Sequence, residues 1–340
     1  MLANDTFINS LSMDQRLNEL TDWLTQSTTI QVQRIEPASQ DASFRRYFRV
    51  FSKSAQYIVM DAPPETEQIQ SFIDIAVQLA KLGLHSPKIY KLETKLGFML
   101  LEDLGSRTYL DELFHNSETL YSDAIDALIV LQSSVDHKQN YVPPLYDAYL
   151  LEQEMDLFLQ WYLDKHLECP IDKSSHTVWR LTQQGLVEQC LQQPQVWVHR
   201  DYHSRNLMIT NDNSPGIIDF QDLVIGPIAY DLASLFKDCY IEWPRKKQLE
   251  WLAQYYNKLV SKVGEQTFEF EQLVRWYDLT GLQRHLKVLG IFCRLNYRDN
   301  KSNYLNDLPL VAKYILDTLK RYDELQDFEA HFGHQIERSL

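Results

Sequence analysis

A chain of 340 residues is too long for one comfortable hydrophobic core, and an apolar fraction of 44% is enough to build two. The formal net charge of −14 argues against nucleic acid or an anionic membrane as the main partner, since both select basic surface; an anionic substrate would need a local positive pocket or a metal ion. Cys169, Cys190, Cys239 and Cys293 form no CxxC pair and read as reduced thiols of a cytoplasmic protein rather than as a disulfide framework.

The opening "MLANDTFINSLSMD" has neither a basic nor an apolar leader segment, so no secretory signal is expected, and aliphatic runs such as "ALIVL" are too short to cross a bilayer. Ser12 and Gln15 fit a capping box ahead of a helix carrying Leu17, Leu20 and Leu24. Strands are expected at residues 28–35, 45–53 and 55–63, the last ended by Pro63 and Pro64. Residues 65–83 read as a helix that buries Ile69, Phe72, Ile73, Ala76, Leu79 and Ala80, with Gly83 as its stop. "PKIYKLET" and "GFMLLEDL" then read as a hairpin. Beyond Gly105 the pattern is mainly helical, with candidates at 109–115, 118–134, 147–167, 175–191, 229–241, 246–263 and 268–295. The exception is 196–220, which reads strand, polar loop, short strand, turn, short strand, the turn being "TNDNSPG".

Within that insert, "WVHRDYHSRNLMI" encloses a dense polar cluster between two apolar flanks. Asp201 follows an apolar strand, and Asn206 lies five residues later. Asp219 ends the apolar "PGIIDF", where a buried carboxylate needs a partner. An amide oxygen from Asn206 and an anionic oxygen from Asp219 are hard ligands suited to Mg²⁺, leaving Asp201 to face an attacking hydroxyl. His199, Arg200, Asp201 and Asn206 match the spacing of the phosphoryl-transfer signature H-R-D-x-x-x-x-N, and Asp219-Phe220 matches two thirds of D-F-G, with Gln221 in place of glycine. That chemistry asks mainly for positioning and charge neutralisation. Simpler readings stand beside it: Asp201 and Asn206 as an Asx turn, Asp219 paired with a buried arginine, His199 and His203 as packed structural histidines, or His199, Asp201 and His203 as a transition-metal site.

On these residues the chain resembles the aminoglycoside phosphotransferase and choline-kinase-like family, within the protein-kinase-like fold. "VHRDYHSRNLMI…GIIDFQD" is similar to the family's catalytic and metal motifs, "MLLEDLG" is similar to its hinge, and the likeness runs over residues 29–300. "DASFRRYFRV", "YIVMDAPPE" and "GLQRHLKVLGIFCRLNYRDNKSNYLNDLP" resemble a narrower group, the bacterial anomeric kinases of N-acetylmuramate and N-acetylglucosamine in cell-wall recycling. The resemblance implies an α+β, two-lobed architecture: a small mixed antiparallel-sheet N-lobe over 1–101, a hinge at 102–105 and a larger, mainly helical C-lobe over 106–340. It implies ATP and Mg²⁺ as cofactors, phosphorylation of the sugar's C1 hydroxyl, and a product passed to a uridylyltransferase.

Carried onto this sequence, the family pattern makes Asp201 the base and Asn206 and Asp219 the Mg²⁺ ligands. Backbone groups of Glu102 and Leu104 would hold adenine. The turn at 41–46 would cover the phosphates without glycine, using Ser43 and its neighbouring N–H groups, with Arg45 or Arg46 adding charge. One departure is plain: the third-strand lysine of the pattern is replaced by Met60 or Asp61, and its helix glutamate by Phe72 or Asp74. Arg45, Arg46 or Arg49 is expected to supply the missing cation, or else to be a solvated strand arginine. On the acceptor side the candidates are His203, Arg205, Asp222, Arg284, His285 and Arg294, an arginine fork suiting a substrate carboxylate. Asp231 is expected to brace the catalytic loop. The alternatives are an aminoglycoside or choline-type phosphotransferase, and a catalytically inactive nucleotide-binding regulator.

Overall fold

The computed structural model describes residues 14–39, 45–67, 69–134, 141–264 and 266–340. They divide into two compact units: the described residues of Met1–Ala80 with Ser86–Gly105, and Lys81–His85 with Ser106–Leu340. Lys81–His85 goes with the second unit because the His85 carbonyl accepts the Ile217 N–H at 2.7 Å and the Gly83 carbonyl accepts Asn213 Nδ2 at 2.9 Å. No helix among the described residues is long and apolar enough to cross a membrane.

The first unit opens with α1 (Gln15–Ser27). Its N-cap is Asp14, whose carboxylate accepts the Leu17 N–H at 3.2 Å; Ser12 of the expected capping box lies outside the described residues. Strands β1 (Val32–Ser39), β2 (Arg46–Ser52), β3 (Gln56–Asp61), β4 (Ile89–Glu93) and β5 (Phe98–Glu102) form one sheet in the order β1-β2-β3-β5-β4. Every neighbouring pair is antiparallel, so the sheet is not mixed. Leu20, Trp23 and Leu24 of α1 pack on Phe48, Val50, Val59, Phe98 and Leu100, a period-of-two face of the sheet meeting a helical stripe. Helix α2 (Gln70–Lys81) buries Phe72, Ile75, Ala76 and Leu79, while Ala80 faces solvent. The stripe follows the i, i+3, i+4, i+7 rule from Phe72, which turns Ala80 outward and Ile75 inward.

The second unit is helical around two small hairpins. Helix α3 (Tyr109–Gln132) carries a kink at Asn116 (φ −142°, ψ 38°), where sequence periodicity splits it in two. Helix α4 (Ala148–Leu157) continues as π-helical turns over Phe158–His166, and α5 is Lys173–Leu191. Strand β6 (Gln195–Val198) pairs with β9 (Val224–Pro227), and β7 (Leu207–Met208) with β8 (Gly216–Ile217). Helices α6 (Tyr230–Phe236), α7 (Arg245–Val263), α8 (Phe270–Asp299), α9 (Leu308–Leu319) and α10 (Gln326–Glu337) complete the unit. Helix α6 stops short of the expected 241 because Lys237 turns inward to Asp278 at 2.8 Å and Asp238 accepts the N–H groups of Ser204 and Tyr240 at 2.9 and 3.0 Å. Helix α8 is buried along most of its length and runs through the middle of the unit.

Candidate active site

Register brings the motif residues together. Leu207 pairs with Ile217 and Met208 with Gly216, so Asn206, just before β7, lies alongside Ile218 and Asp219, just after β8. The Ile218 N–H donates to the Asn206 carbonyl at 3.1 Å. Asn206 Nδ2 then donates both to the Asp201 main-chain carbonyl at 3.1 Å and to Asp219 Oδ2 at 3.3 Å. One amide group thus ties the three motif residues into one cluster. With Nδ2 turned to those two acceptors, Oδ1 is the free end of the amide.

Asp219 has a left-handed backbone (φ 61°), as does Arg200 (φ 75°). Such conformations cost about 1–3 kcal/mol outside glycine and persist only where the surroundings enforce them. At Asp219 the enforcing neighbour is Gln221, whose Nε2 donates to Oδ1 at 2.6 Å. The residue that departs from D-F-G is therefore the one that orients the carboxylate. At Arg200 it is Asp231, fully buried, which accepts the His199 N–H at 2.7 Å and the Arg200 N–H at 3.0 Å, the bracing role expected of it.

His199 is a structural histidine. Its Nδ1 accepts the Asp201 N–H at 3.3 Å and its Nε2 donates to the Ile218 carbonyl at 3.0 Å, linking catalytic loop to metal strand. Burial pushes its pKa down to about 4, so the ring is neutral. With both ring nitrogens occupied it has no lone pair for a transition metal. Among the described residues no group of three or more His, Cys, Asp or Glu could hold a metal ion; an Asn–Asp magnesium pair is a different donor set.

Burial would raise the Asp201 carboxyl, but Lys287, His203, Arg284 and Arg200 outweigh it and hold the pKa down at about 2. Lys287 and Arg200 form part of a buried network that sequence patterning did not single out. Glu154 of α4 receives Arg200 Nη2, the Tyr146 hydroxyl, and Lys287 Nζ at 3.1 Å; Lys287 also donates to the Tyr230 hydroxyl at 3.2 Å. The available signal was Glu154 itself, a charge sharing a helical face with the buried Leu151, Met155 and Phe158.

The acceptor-side candidates separate. His203 is buried against Tyr240, with ring centroids 5.3 Å apart, and Arg205 is exposed and stacks on the same ring at 3.5 Å. Asp222 is exposed, and its carbonyl receives Arg200 Nη1 at 3.4 Å. Arg284 is buried near Asp201 and donates to Cys239 Sγ at 3.3 Å. Arg294 is half-buried, with Nε unpartnered among the described residues. His285 has no exposed surface; it is bonded to the Lys237 carbonyl at 3.0 Å and stacked on Tyr314, so it is a core residue that no acceptor can reach.

In the first unit, Ser43 lies outside the described residues. Arg45 pairs with Glu67 at 3.6 Å. Arg46 is held by Asp14 and by Asp61 (2.5 Å), and Asp61 also takes Arg16 at 2.5 Å. On the third strand, where Met60 or Asp61 stands in for the lysine of the pattern, Asp61 is a buried aspartate between two arginines, an ion pair of reversed sign. Arg49 donates to Asp103 at 2.7 and 3.1 Å and to the Gly105 carbonyl at 2.8 Å, fastening β2 to the segment after β5. The Glu102 N–H is used by the Lys88 carbonyl at 2.9 Å, and Leu104 is half-buried.

The chain as a whole is similar to known proteins. The model of the Phosphotransferase enzyme family matches residues 34–267. An N-acetylmuramate/N-acetylglucosamine kinase of Pseudomonas putida is 39% identical over 325 residues, covering 92% of this chain and 95% of the relative. One from Pseudomonas aeruginosa is 40% identical over 328 residues, covering 93% and 96%. Among solved structures, choline kinase LicA from Streptococcus pneumoniae matches with a TM-score of 0.63 at 14% identity, over 88% of this chain and 99% of that one. An ethanolamine kinase of Plasmodium vivax matches with a TM-score of 0.63 at 16% identity, over 90% and 89%. The distant structures share the protein-kinase-like fold, and on the extent of the family match the chain belongs to the Phosphotransferase enzyme family.

Proposed function

We propose that the chain is an ATP-dependent kinase that phosphorylates the anomeric hydroxyl of N-acetylmuramate and N-acetylglucosamine. The relatives above are named N-acetylmuramate/N-acetylglucosamine kinases and match nearly end to end, which supports the same acceptors here. The observation that carries the chemistry is the Asn206 amide joined at once to Asp201 and Asp219.

Asp201 receives the hydrogen of the attacking hydroxyl and aims that oxygen at the transferring phosphorus. A carboxylate held near pKa 2 is a weak base, which fits a loose transition state in which the proton leaves late and alignment matters most. Asn206 Oδ1 and Asp219 are the residues to hold Mg²⁺. An amide oxygen and a carboxylate from two adjoining segments, tied together by the Asn206 amide, are the hard oxygen donors that suit this cation. Bound there, the ion supplies charge neutralisation to the phosphate oxygens. The backbone of Glu102 and Leu104 would receive the adenine. The sugar 1-phosphate would pass to a uridylyltransferase, and the cytoplasm, which supplies ATP, is the expected compartment.

Incubation with ATP, Mg²⁺ and a panel of sugars, aminoglycosides and choline, read by mass and phosphorus NMR, tests this. A sugar 1-phosphate from N-acetylmuramate or N-acetylglucosamine, lost in Asp201→Asn, is expected. Turnover confined to choline or an aminoglycoside, or nucleotide binding with no turnover of any acceptor, would refute it.

A further inference from the structure

Arg284 is the odd cation of the second unit. It sits on α8 with 3% of its surface exposed, and its one protein hydrogen bond among the described residues goes to the weak acceptor Cys239 Sγ at 3.3 Å. The other buried cations nearby are paired: Lys287 and Arg200 with Glu154, Lys237 with Asp278. With no carboxylate in direct contact and only the nearby charge of Asp201 to offset its burial, this guanidinium is open to an anion brought from outside.

A second group points to the same place. His203 is 9% exposed, and its Nδ1 is buried with no partner among the described residues. His203 and Arg284 are charge neighbours of each other, and both act on Asp201. An unpartnered imidazole nitrogen and an unpaired guanidinium thus flank the carboxylate that faces the acceptor. Asp201, the carboxylate that faces the acceptor, is among the charges that act on Arg284.

The two sugars named for the relatives differ in one group: N-acetylmuramate carries a lactyl ether carboxylate that N-acetylglucosamine lacks. We propose that Arg284, assisted by His203, receives that carboxylate and is the specificity determinant that favours the acidic amino sugar over the neutral one. The planar fork of an arginine matches a carboxylate in two parallel hydrogen bonds, which a lysine cannot reproduce. The inference rests on the amino-sugar kinase reading and adds to it the residue that tells the two sugars apart.

The test is the ratio of kcat/KM for N-acetylmuramate to that for N-acetylglucosamine, in wild type, Arg284→Lys and Arg284→Gln, with thermal unfolding as a check on folding. The ratio is expected to fall about 10- to 100-fold in both variants, the scale of a lost charge-assisted hydrogen bond. His203→Gln shifts it in the same direction. Because α8 is buried and a variant can fail to fold, a second arm uses wild type alone: N-acetylmuramate whose carboxylate is converted to the neutral amide is expected to lose its advantage over N-acetylglucosamine. An equal loss on both sugars in folded variants, which a role at the transferring phosphoryl group would give, overturns the inference, as does an amide that reacts as well as the acid. Wild type that phosphorylates neither sugar removes the underlying reading as well; turnover of both with an unmoved ratio removes the specificity assignment alone.

Discussion

The Asp231 carboxylate accepts the main-chain N–H of Arg200 at 3.0 Å and thereby holds the residue before Asp201 in a left-handed backbone turn. Its second oxygen takes the His199 N–H at 2.7 Å, so one buried side chain from α6 fixes two consecutive peptides of the catalytic loop. Asp231→Ala leaves both N–H groups buried and unpaired, each worth about 1–3 kcal/mol, and releases the φ of Arg200. We expect kcat to fall by more than an order of magnitude, on the scale of misplaced catalytic groups, with a smaller change in the KM for ATP. Steady-state kinetics with denaturant unfolding would show it; a variant that is less stable but equally fast would remove the positioning role.

Gln221 should tune the metal. Its Nε2 holds Asp219 Oδ1 at 2.6 Å, so Gln221→Ala removes one hydrogen-bond donor from a carboxylate that already sits in a strained backbone conformation. Hydrogen-bond partners behind metal ligands commonly contribute about 10- to 100-fold in metal affinity. The Mg²⁺ concentration giving half-maximal rate is expected to rise by about tenfold in this variant, read by titrating Mg²⁺ at saturating ATP. An unchanged Mg²⁺ dependence would mean that Gln221 does not orient a ligand.

The contrast between these two residues shows what the sequence can reveal. Asp201, Asn206 and Asp219 were legible because they lie on two adjoining segments whose hairpin register is local, and Asp231 because it lies a short way further on. The Glu154–Arg200–Lys287 network was not, since Glu154 and Arg200 stand 46 positions apart and Lys287 belongs to a third element. Asp61 was visible as a missing lysine, but its counter-charge from Arg16 comes from 45 residues upstream, on a helix whose packing only the folded chain reveals. His285 shows the opposite error. Its neighbours in sequence suggested a cationic face, whereas α8 is buried nearly all round and directs the ring at a main-chain carbonyl. Helices α9 and α10 lie beyond the likeness ending at residue 300, where no element was expected.

The reversed ion pair of the first unit makes a stability prediction. Asp61 has no exposed surface and is shared by Arg16 and Arg46, whose side chains are 28% and 37% exposed. Removing one member of a buried pair costs about 3–5 kcal/mol, less here because both guanidinium groups can turn to water. Asp61→Asn is expected to lower unfolding stability by about 2 kcal/mol, seen as a lower denaturant midpoint with an unchanged m-value. A midpoint equal to wild type would show that the pair contributes nothing net.

Buried histidines set an acid limit on stability. His199 is pushed down to about 4 from 6.5, and burial lowers His203 and His285 in the same direction. The unfolded chain takes up these protons as pH falls through about 6.5 while the folded chain does not, so stability declines on acidification from there towards about 4. Asp231, raised to about 7 by burial, opposes one of the three, because its folded form binds a proton first. Urea unfolding between about pH 7 and about pH 5 should show the decline, and a flat profile would contradict the neutral assignment of these rings.

Gly290 on α8 packs closely against the end of α4. A Cβ added there would run into the main-chain carbonyl carbon and oxygen of Leu157, and backbone cannot rotate aside as a side chain can. Leu157 is also the last residue of α4 before its path widens into the π-helical turns Phe158–His166. Gly290→Ala must therefore separate α4 from α8, at about 3 kcal/mol of overpacking strain. The damage should reach catalysis as well as stability, because α4 carries Glu154 and α8 carries Lys287, whose charges meet at 3.1 Å beside the catalytic loop. Moving the helices apart weakens the clamp on Arg200 and alters the field that keeps Asp201 ionised. The expected outcome is a lowered thermal midpoint together with a reduced kcat measured well below it. A variant with native stability would refute the close approach, and one destabilised but fully active at low temperature would show that the Glu154–Lys287 contact does not govern Asp201.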